Sequence, residues 1–305
     1  MPEVVCIASW NADLVSRVPR PIARGETLLA RSFEISPGGK GSNAAVACAR
    51  QGASTALVAR IGRDDFGRMG LELWEREGIV TGHVEQVDGE RSGVAQILVY
   101  DDGDNSIAVA PGAGAGLGRA QVEAARGTLA GCRVVMASCE VPLAATLAAF
   151  RIGREAGATT LLNPAPAQHL SHELLALTDV LTPNENELRA VAGVPADSPL
   201  DTAARVLLER GVRAVIVTLG AEGCRLFRRD MPALGIAGWP VDEVVDTVGA
   251  GDTFTGVLAA AIARGADIEQ ATRRANAAAA LSVGGRGAIP GMPSAAQVDA
   301  LLARC

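Results

Sequence analysis

From about Arg119 to Ser282 the chain alternates between two textures, and the alternation leaves few folds open. Helix-like runs at 119–130, 143–156, 183–192, 201–210, 252–264 and 267–282 are interleaved with short apolar runs at Arg133–Ser138, Ala158–Leu162, Asp179–Leu181 and Ala214–Thr218. A helix between successive short strands is the crossover that parallel pairing requires. Ala214-Val215-Ile216-Val217 is apolar at every position, as a strand covered on both faces must be. The pattern predicts an α/β fold in three α/β/α layers around a mostly parallel sheet. Composition adds a constraint on packing: 49% of residues are hydrophobic and only 3% aromatic, so Ala, Val, Leu and Ile must fill the core. With 305 residues and no repeat, a single domain spanning 1–305 is expected.

The first third reads differently. Val4–Ser9 is a buried strand, followed at once by polar Asn11 and Asp13. Asp13–Val18 and Leu28–Ile35 read as strands with one wet side, Phe33 and Ile35 on one face and Glu34 on the other. Ala95–Tyr100 and Asn105–Ala110, joined by Asp101-Asp102-Gly103-Asp104, form a hairpin signal. These segments, from about 11–36 and 91–111, are expected to pair as a small sheet standing off the body. Between them lie a Gly-rich turn opening an Ala-rich helix to about Arg50, a strand at Thr55–Arg60, and a helix from Asp64 to Glu77 closed by Gly78.

Several function classes are disfavoured. A net charge of −6 gives no attraction to nucleic acid or an anionic membrane, and so few aromatics offer no base-stacking platform. Cysteines 6, 48, 132, 139, 224 and 305 lack metal or disulfide spacing and read as thiols in a reducing compartment. No apolar run reaches the length of a membrane span or signal peptide, so a soluble cytoplasmic protein is expected. Gly39-Lys40 is not a P-loop, because Glu34 and Gly41 stand where Gly and Ser or Thr are needed; Gly112–Gly118 lacks the dinucleotide fingerprint.

The chemistry collects at predicted strand C-termini, where open α/β sheets bind ligands. Asn11, Asp13, Gly39 to Asn43, Glu140, Asn184 with Glu187, Thr218 to Gly223, and Asp252 all fall there. Asp13, Lys40, Asn43 and Glu140 are suited to a polyhydroxylated ligand, carboxylates accepting from hydroxyls while Lys and Asn donate. Asp246-Thr247-Val248-Gly249-Ala250-Gly251-Asp252-Thr253-Phe254 places a bare turn before a helix, a natural anion site. On this stretch alone, Asp252 can be a helix cap or a base that takes a proton from a hydroxyl attacking a phosphate.

Five ordered blocks together resemble the ribokinase/PfkB carbohydrate kinase family over essentially the whole chain. They are Asn11-Ala12-Asp13, Ser36-Pro37-Gly38-Gly39-Lys40-Gly41-Ser42-Asn43, Leu162-Asn163-Pro164-Ala165-Pro166-Ala167, Thr182-Pro183-Asn184-Glu185-Asn186-Glu187, and Asp246 to Phe254. The resemblance implies ATP-dependent phosphorylation of the 5-hydroxyl of D-ribose, with Asp252 as base and the Gly249, Ala250 and Gly251 amides as anion hole. It implies sugar contacts from Asn11, Asp13, Gly39, Lys40, Asn43, Glu140 and Asp252. ATP would meet Asn184, Thr218, Gly220, Gly223, Gly251 and Asn276, with Asn184 and Glu187 linked to Mg2+ through water. A K+ site would use Asp246, Val248, Ser282, Gly285, Gly287 and Gly291, the last lacking the hydroxyl that relatives often supply there. The small sheet resembles a lid over the sugar that pairs with a second copy, which implies a homodimer. Other acceptors within the family remain open: fructose, deoxyribose, a keto-deoxy sugar, or a nucleoside, for which Trp10 and Phe33 are the only aromatics near the mouth. A sugar-binding protein without catalysis is a remote alternative, since Gly249 to Asp252 is intact.

Overall fold

The computed structural model describes residues 1–304. The first half contains β1 (Val4–Ile7), β2 (Asn11–Arg17), β3 (Ser32–Gly38), α1 (Lys40–Arg50), β4 (Thr55–Gly62), α2 (Asp65–Arg76), β5 (Val80–Val87), β6 (Gly93–Val99) and β7 (Asn105–Ala110). The middle continues with α3 (Arg119–Ala124), α4 (Arg126–Gly131), β8 (Val134–Ser138), α5 (Leu143–Glu155), β9 (Thr159–Asn163), α6 (His172–Ala176), β10 (Val180–Leu181), α7 (Glu185–Ala192) and α8 (Leu200–Glu209). Then come β11 (Ala214–Thr218), β12 (Gly223–Arg228), β13 (Leu234–Ala237), α9 (Ala250–Ala263), α10 (Ile268–Ser282), α11 (Ala288–Gly291) and α12 (Ala295–Leu302).

Nine strands form one sheet in the order β13-β12-β11-β10-β9-β8-β1-β4-β5. It is parallel from β5 to β11, while β12 and β13 turn back antiparallel at the edge. Alternation along β1 assigns the two faces: Val4 and Cys6 join the core under α1, α9 and α10, whereas Val5 and Ile7 join the core under α5 and α8. The chain leaves β1 toward β4 on one side and returns with β8 on the other. That reversal between β1 and β8 is the switch point at which such sheets open a ligand crevice.

Small residues set how close the helices come. A side chain at Gly256 of α9 would strike the Ala44 carbonyl and come within 2.9 Å of the Ala47 Cβ on α1. Ala and Gly at this crossing bring together the two helices whose N-termini carry Lys40, Asn43 and Asp252. The aromatic-poor core thus serves the site as well as stability.

A second sheet of four strands, β3-β2-β6-β7, pairs β2 antiparallel to β3 and parallel to β6. Its register separates two faces. Asp13, Val15, Ile97, Ile107 and Val109 share one; Leu14, Phe33, Ile35 and Leu98 share the other.

Several sequence expectations need correction. The strand expected at Leu28–Ile35 begins only at Ser32; before it only Arg31 reaches β2, through one N–H to the Arg17 carbonyl at 2.7 Å. The helix expected over 119–130 breaks at Ala125, which ends α3 and starts α4. The 183–192 helix starts at Glu185 because Pro183 and Asn184 are still extended or capping. Helix 267–282 does not close the fold, since α11 and α12 follow. Strands β5, β12 and β13 and helix α6 carry no clear sequence signal: β5 and β13 are mixed-polarity edge strands, β12 carries Arg225 and Arg228 among its apolar residues, and α6 is only five residues long. Five cysteines, 6, 48, 132, 139 and 224, are buried free thiols, each pushed well up by burial; Cys305 lies outside the described residues. Among the described residues no helix is long and apolar enough to cross a membrane.

Candidate active site

The glycines of Gly38-Gly39-Lys40-Gly41 let α1 begin against the end of β1. Gly39 has φ 90, and a Cβ there would come within 2.8 Å of the Ser9 carbonyl oxygen; one at Gly41 would lie 2.6 Å from the Ala8 Cα. A Cβ at Gly38 would collide with the Asp13 carboxylate, which therefore lies across that backbone from β2. Gly39 is the N-cap of α1 and offers no side chain to its amides. Glu140, just past β8, supplies the missing acceptor: its Oε2 takes the Lys40 N–H at 2.8 Å and the Ser9 hydroxyl at 2.7 Å. Asn11 is buried at the start of β2.

Asp252 settles its local ambiguity by position. The N-cap of α9 is Gly249, left-handed at φ 80, and Asp252 lies inside the first turn at 6% exposure. Its Oδ2 accepts from Asn43 Nδ2 at 2.8 Å across the α1–α9 contact, so the carboxylate does not cap its own helix. Burial raises the Asp252 carboxyl; Lys40 and the Asn43 amide pull it back toward the ionised form, and Glu140 and Glu187 oppose them. Asp252 is in turn the largest influence raising the Lys40 ammonium. Asp13 is pushed up to about 7, first by burial, then by Glu140 and Asp252, with Lys40 acting against them. Four carboxylates, Asp252, Glu140, Glu187 and Asp13, thus share one lysine. The Asn43 Oδ1 is buried without a hydrogen-bond partner, a defect worth about 1–3 kcal/mol unless a ligand hydroxyl supplies a donor.

At the N-terminus of α9 the Ala250 N–H leans weakly on the Thr247 carbonyl at 3.3 Å. No backbone carbonyl among the described residues accepts from Gly251 or Asp252 N–H. These two free donors lie at the positive end of a helix of 14 residues, where an anion can be taken up; the Ala250 N–H is already partly engaged.

The residues expected from the sequence to meet ATP gather farther along the same sheet edge. Asn184 bridges to Thr218, whose N–H donates to the Pro183 carbonyl at 3.0 Å. Asn184 and Glu187 close a reciprocal capping box on α7, each accepting the other's amide at 2.9 Å. The box employs one oxygen of each side chain and leaves the other Glu187 oxygen available. Gly220 opens a short 3-10 turn and Gly223 starts β12, paired with Ala237. Asn276 sits beside that pair and donates to the Ala237 carbonyl at 2.8 Å, so its amide nitrogen is already engaged. Trp10 is not a stacking platform: it is buried, T-shaped against Trp74 at 5.3 Å, and its indole N–H binds the Phe66 carbonyl.

Beyond the anion hole a loop folds round Asp246, whose carboxylate accepts from Val248 N–H at 3.0 Å and Gly287 N–H at 2.9 Å. A side chain at Gly291 would run into the Ser282 carbonyl, with the Gly285 carbonyl 3.6 Å away. Two carbonyl oxygens therefore converge on the place a side chain at 291 would occupy. Among the described residues no group of three or more His, Cys, Asp or Glu is placed to hold a metal.

Residues 1–295 match the pfkB family of carbohydrate kinases. The chain belongs to that family. A ribokinase of Haemophilus influenzae is 38% identical over 290 residues, covering 94% of both chains. A deoxyribokinase of Salmonella typhimurium is 34% identical over 307 residues, covering 98% of both. Among solved structures, ribokinase of Arabidopsis thaliana complexed with ribose and ATP superposes with a TM-score of 0.91 at 32% identity, over 99% of this chain and 98% of that one. Like the pfkB relatives, this chain combines a large mostly parallel sheet with a second small one.

Ser9 was not singled out by sequence reasoning, although it touches both Glu140 and α1. The available signal was slight: a small hydroxyl two residues past a buried strand, among residues chosen for their charge.

Proposed function

We propose that this pfkB kinase transfers the γ-phosphate of ATP to the 5-hydroxyl of D-ribose, giving ribose 5-phosphate and ADP. The observation that carries the reading is Asp252: a buried carboxylate, oriented by Asn43, one residue from a free amide at a helix N-terminus. A hydroxyl directed at Asp252 has its acceptor at one side and the anion hole for the transferring group at the other. In the transfer the O5–phosphorus bond forms as the bond to the β,γ-bridging oxygen breaks. The O5 proton passes to Asp252, and the Gly251 and Asp252 amides meet charge on the phosphoryl oxygens. Asp13, Lys40, Asn43 and Glu140 hold the other hydroxyls, and the unpartnered Asn43 Oδ1 is an acceptor waiting for one of them.

ATP lies along Thr218, Gly220 and Gly223, with Asn276 steadying the Gly223–Ala237 pair beside it. Asn184 and Glu187 would hold the Mg2+ that accompanies ATP through water, and the ion would supply positive charge to the phosphates, in keeping with a cation that retains its hydration. The carbonyls of Ser282 and Gly285, together with Asp246, form a largely neutral oxygen set that suits K+, with Val248, Gly287 and Gly291 shaping the loop. A K+ there adds positive charge beside the anion hole.

The four-stranded sheet acts as a lid that carries Asn11 and Asp13 onto the sugar and excludes water as a competing acceptor. It is also the dimer contact. The buried free thiols suit the cytoplasm.

A coupled ADP-release assay across ribose, deoxyribose, fructose, allose and adenosine tests the acceptor. A second reading, deoxyribose, is favoured by the 34% identical deoxyribokinase. Ribose should give the highest kcat/KM; a higher value for deoxyribose would move the assignment to that sugar, and no turnover of any sugar would remove it.

A further inference from the structure

Beside the charged residues of the candidate sugar site lies a buried hydroxyl that touches Glu140 and the first turn of α1. Ser9 lies between the end of β1 and the start of β2, 6% exposed. Its Oγ donates to Glu140 Oε2 at 2.7 Å and accepts the Gly41 N–H at 3.1 Å. Its carbonyl accepts the Ser42 N–H at 3.1 Å, and Lys40 N–H goes to Glu140 Oε2 at 2.8 Å. The first three amides of α1 are therefore satisfied by Ser9 and Glu140 together, because the N-cap glycine has nothing to give. The same contacts fasten one oxygen of Glu140 and leave Oε1 with no partner among the described residues.

We infer that Ser9 is a positioning residue of the sugar site, which fixes the Glu140 carboxylate and the N-terminus of α1 relative to each other. The inference rests on the proposed reading of Glu140 as a sugar ligand. A carboxylate held by a single short contact to a backbone N–H can still rotate about its own bonds. A second contact from a buried hydroxyl removes that freedom before the sugar arrives, so the ordering cost is met by the fold and not by substrate binding. Ser9 also leads directly into β2, so the residue that orients Glu140 is two positions from Asn11 and four from Asp13. Glu140 from the body and the ligands on the small sheet are thereby set from one point in the chain. Nothing in this arrangement reaches the nucleotide edge.

The prediction is a selective loss. Ser9→Ala should raise the KM for ribose about tenfold, change kcat less than about threefold, and leave the KM for ATP unchanged. Ser9→Cys, which keeps the volume but replaces the hydroxyl by a weak donor, should behave like Ser9→Ala and guards against a simple cavity effect. The deciding measurement is a double-mutant cycle on ribose KM with Glu140→Ala. If Ser9 acts through Glu140, Ser9→Ala in the Glu140→Ala background should shift the KM less than about twofold. Independent, multiplying effects would overturn the inference and leave Glu140 as a ligand. An unchanged ribose KM in Glu140→Ala alone would instead remove the sugar-site reading of Glu140, and the positioning role with it. Equal losses in the KM for ATP and ribose would mark Ser9 as a general structural residue.

Discussion

At the scale of the residue, Asp252 and Asp13 are both carboxylates under pressure to take up protons; the first must stay ionised until it receives the O5 proton, and the second loses acceptor strength when protonated. Asp252→Asn keeps the oxygen that accepts from Asn43 but cannot take the O5 proton. Turnover should fall by about three orders of magnitude or more while ribose binding, followed calorimetrically, changes little; near-normal kcat would show that the base lies elsewhere. Asp13 has its carboxyl raised to about 7 in the free protein, so at pH 6 it is mostly neutral and a poorer acceptor for sugar hydroxyls. The KM for ribose should therefore fall as pH rises from 6 to 8. The stability effect has the opposite sign. The unfolded chain ionises Asp13 near its ordinary value and the folded one only near 7, so stability present at low pH is lost as pH rises through that window. Asp13→Asn should raise the ribose KM tenfold or more, flatten its pH dependence, and at pH 8 raise the melting temperature, by roughly 2–4 °C per kcal/mol of strain relieved. A melting temperature lowered by this variant at pH 8 would show that the carboxylate is not strained. Charged residues like these were legible in the sequence because chemistry requires their types. Ser9 and the Asp252 amide donor were harder to see, the first because serine is common, the second because a backbone N–H has no letter of its own.

At the scale of the element, the site depends on two helix N-termini held at a fixed separation by residues too small to attract notice. Gly256→Val would push a branched side chain into the Ala44 carbonyl and the Ala47 methyl group. The expected cost is about 1–3 kcal/mol, with kcat falling further than stability alone would suggest, because Asn43 is moved off Asp252. Full activity with lowered stability would uncouple the helix crossing from the chemistry. The parallel strands β1, β4, β8 and β11 were legible because burial on both faces leaves an unbroken apolar run. Strands β12 and β13 were not, since β13 is a short edge strand and β12, one strand in from the edge, carries Arg225 and Arg228 beside Leu226 and Phe227, which blurs any period. Helix α7 was legible as a helix start, yet the same capping box concealed whether Asn184 and Glu187 have a second task. The loop that follows α10 and packs on Asp246 belongs to this scale as well. If its carbonyls take K+, the rate in K+ should exceed that in a bulky organic cation severalfold, and equal rates would leave the loop a purely structural turn.

At the scale of the whole molecule, the small sheet is an element the monomer does not finish. Phe33 is 59% exposed and Ile35 47%, on the face that carries Leu14 and Leu98 and that lies opposite Asp13. Val109 and Ile107, 49% and 57% exposed, lie on the Asp13 face, which closure over a sugar would partly cover. Closure cannot cover the other face, because one sheet cannot turn both sides to the same cleft. An apolar face left in water favours association, and a second copy of the same sheet is the surface always present at equal concentration. The sequence had shown the alternation of Phe33, Glu34 and Ile35 but not which side would face the sugar; only the register of β2 against β3 and β6 fixes that. The protein should therefore sediment as a dimer at micromolar concentration. Phe33→Glu combined with Ile35→Glu should give a monomer whose ribose KM rises several-fold, as a lid without its partner closes less firmly, while the KM for ATP stays put. A wild-type monomer would refute the contact outright. A dimer that survives both substitutions would move it to the Ile107 and Val109 side, where it would have to compete with closure itself.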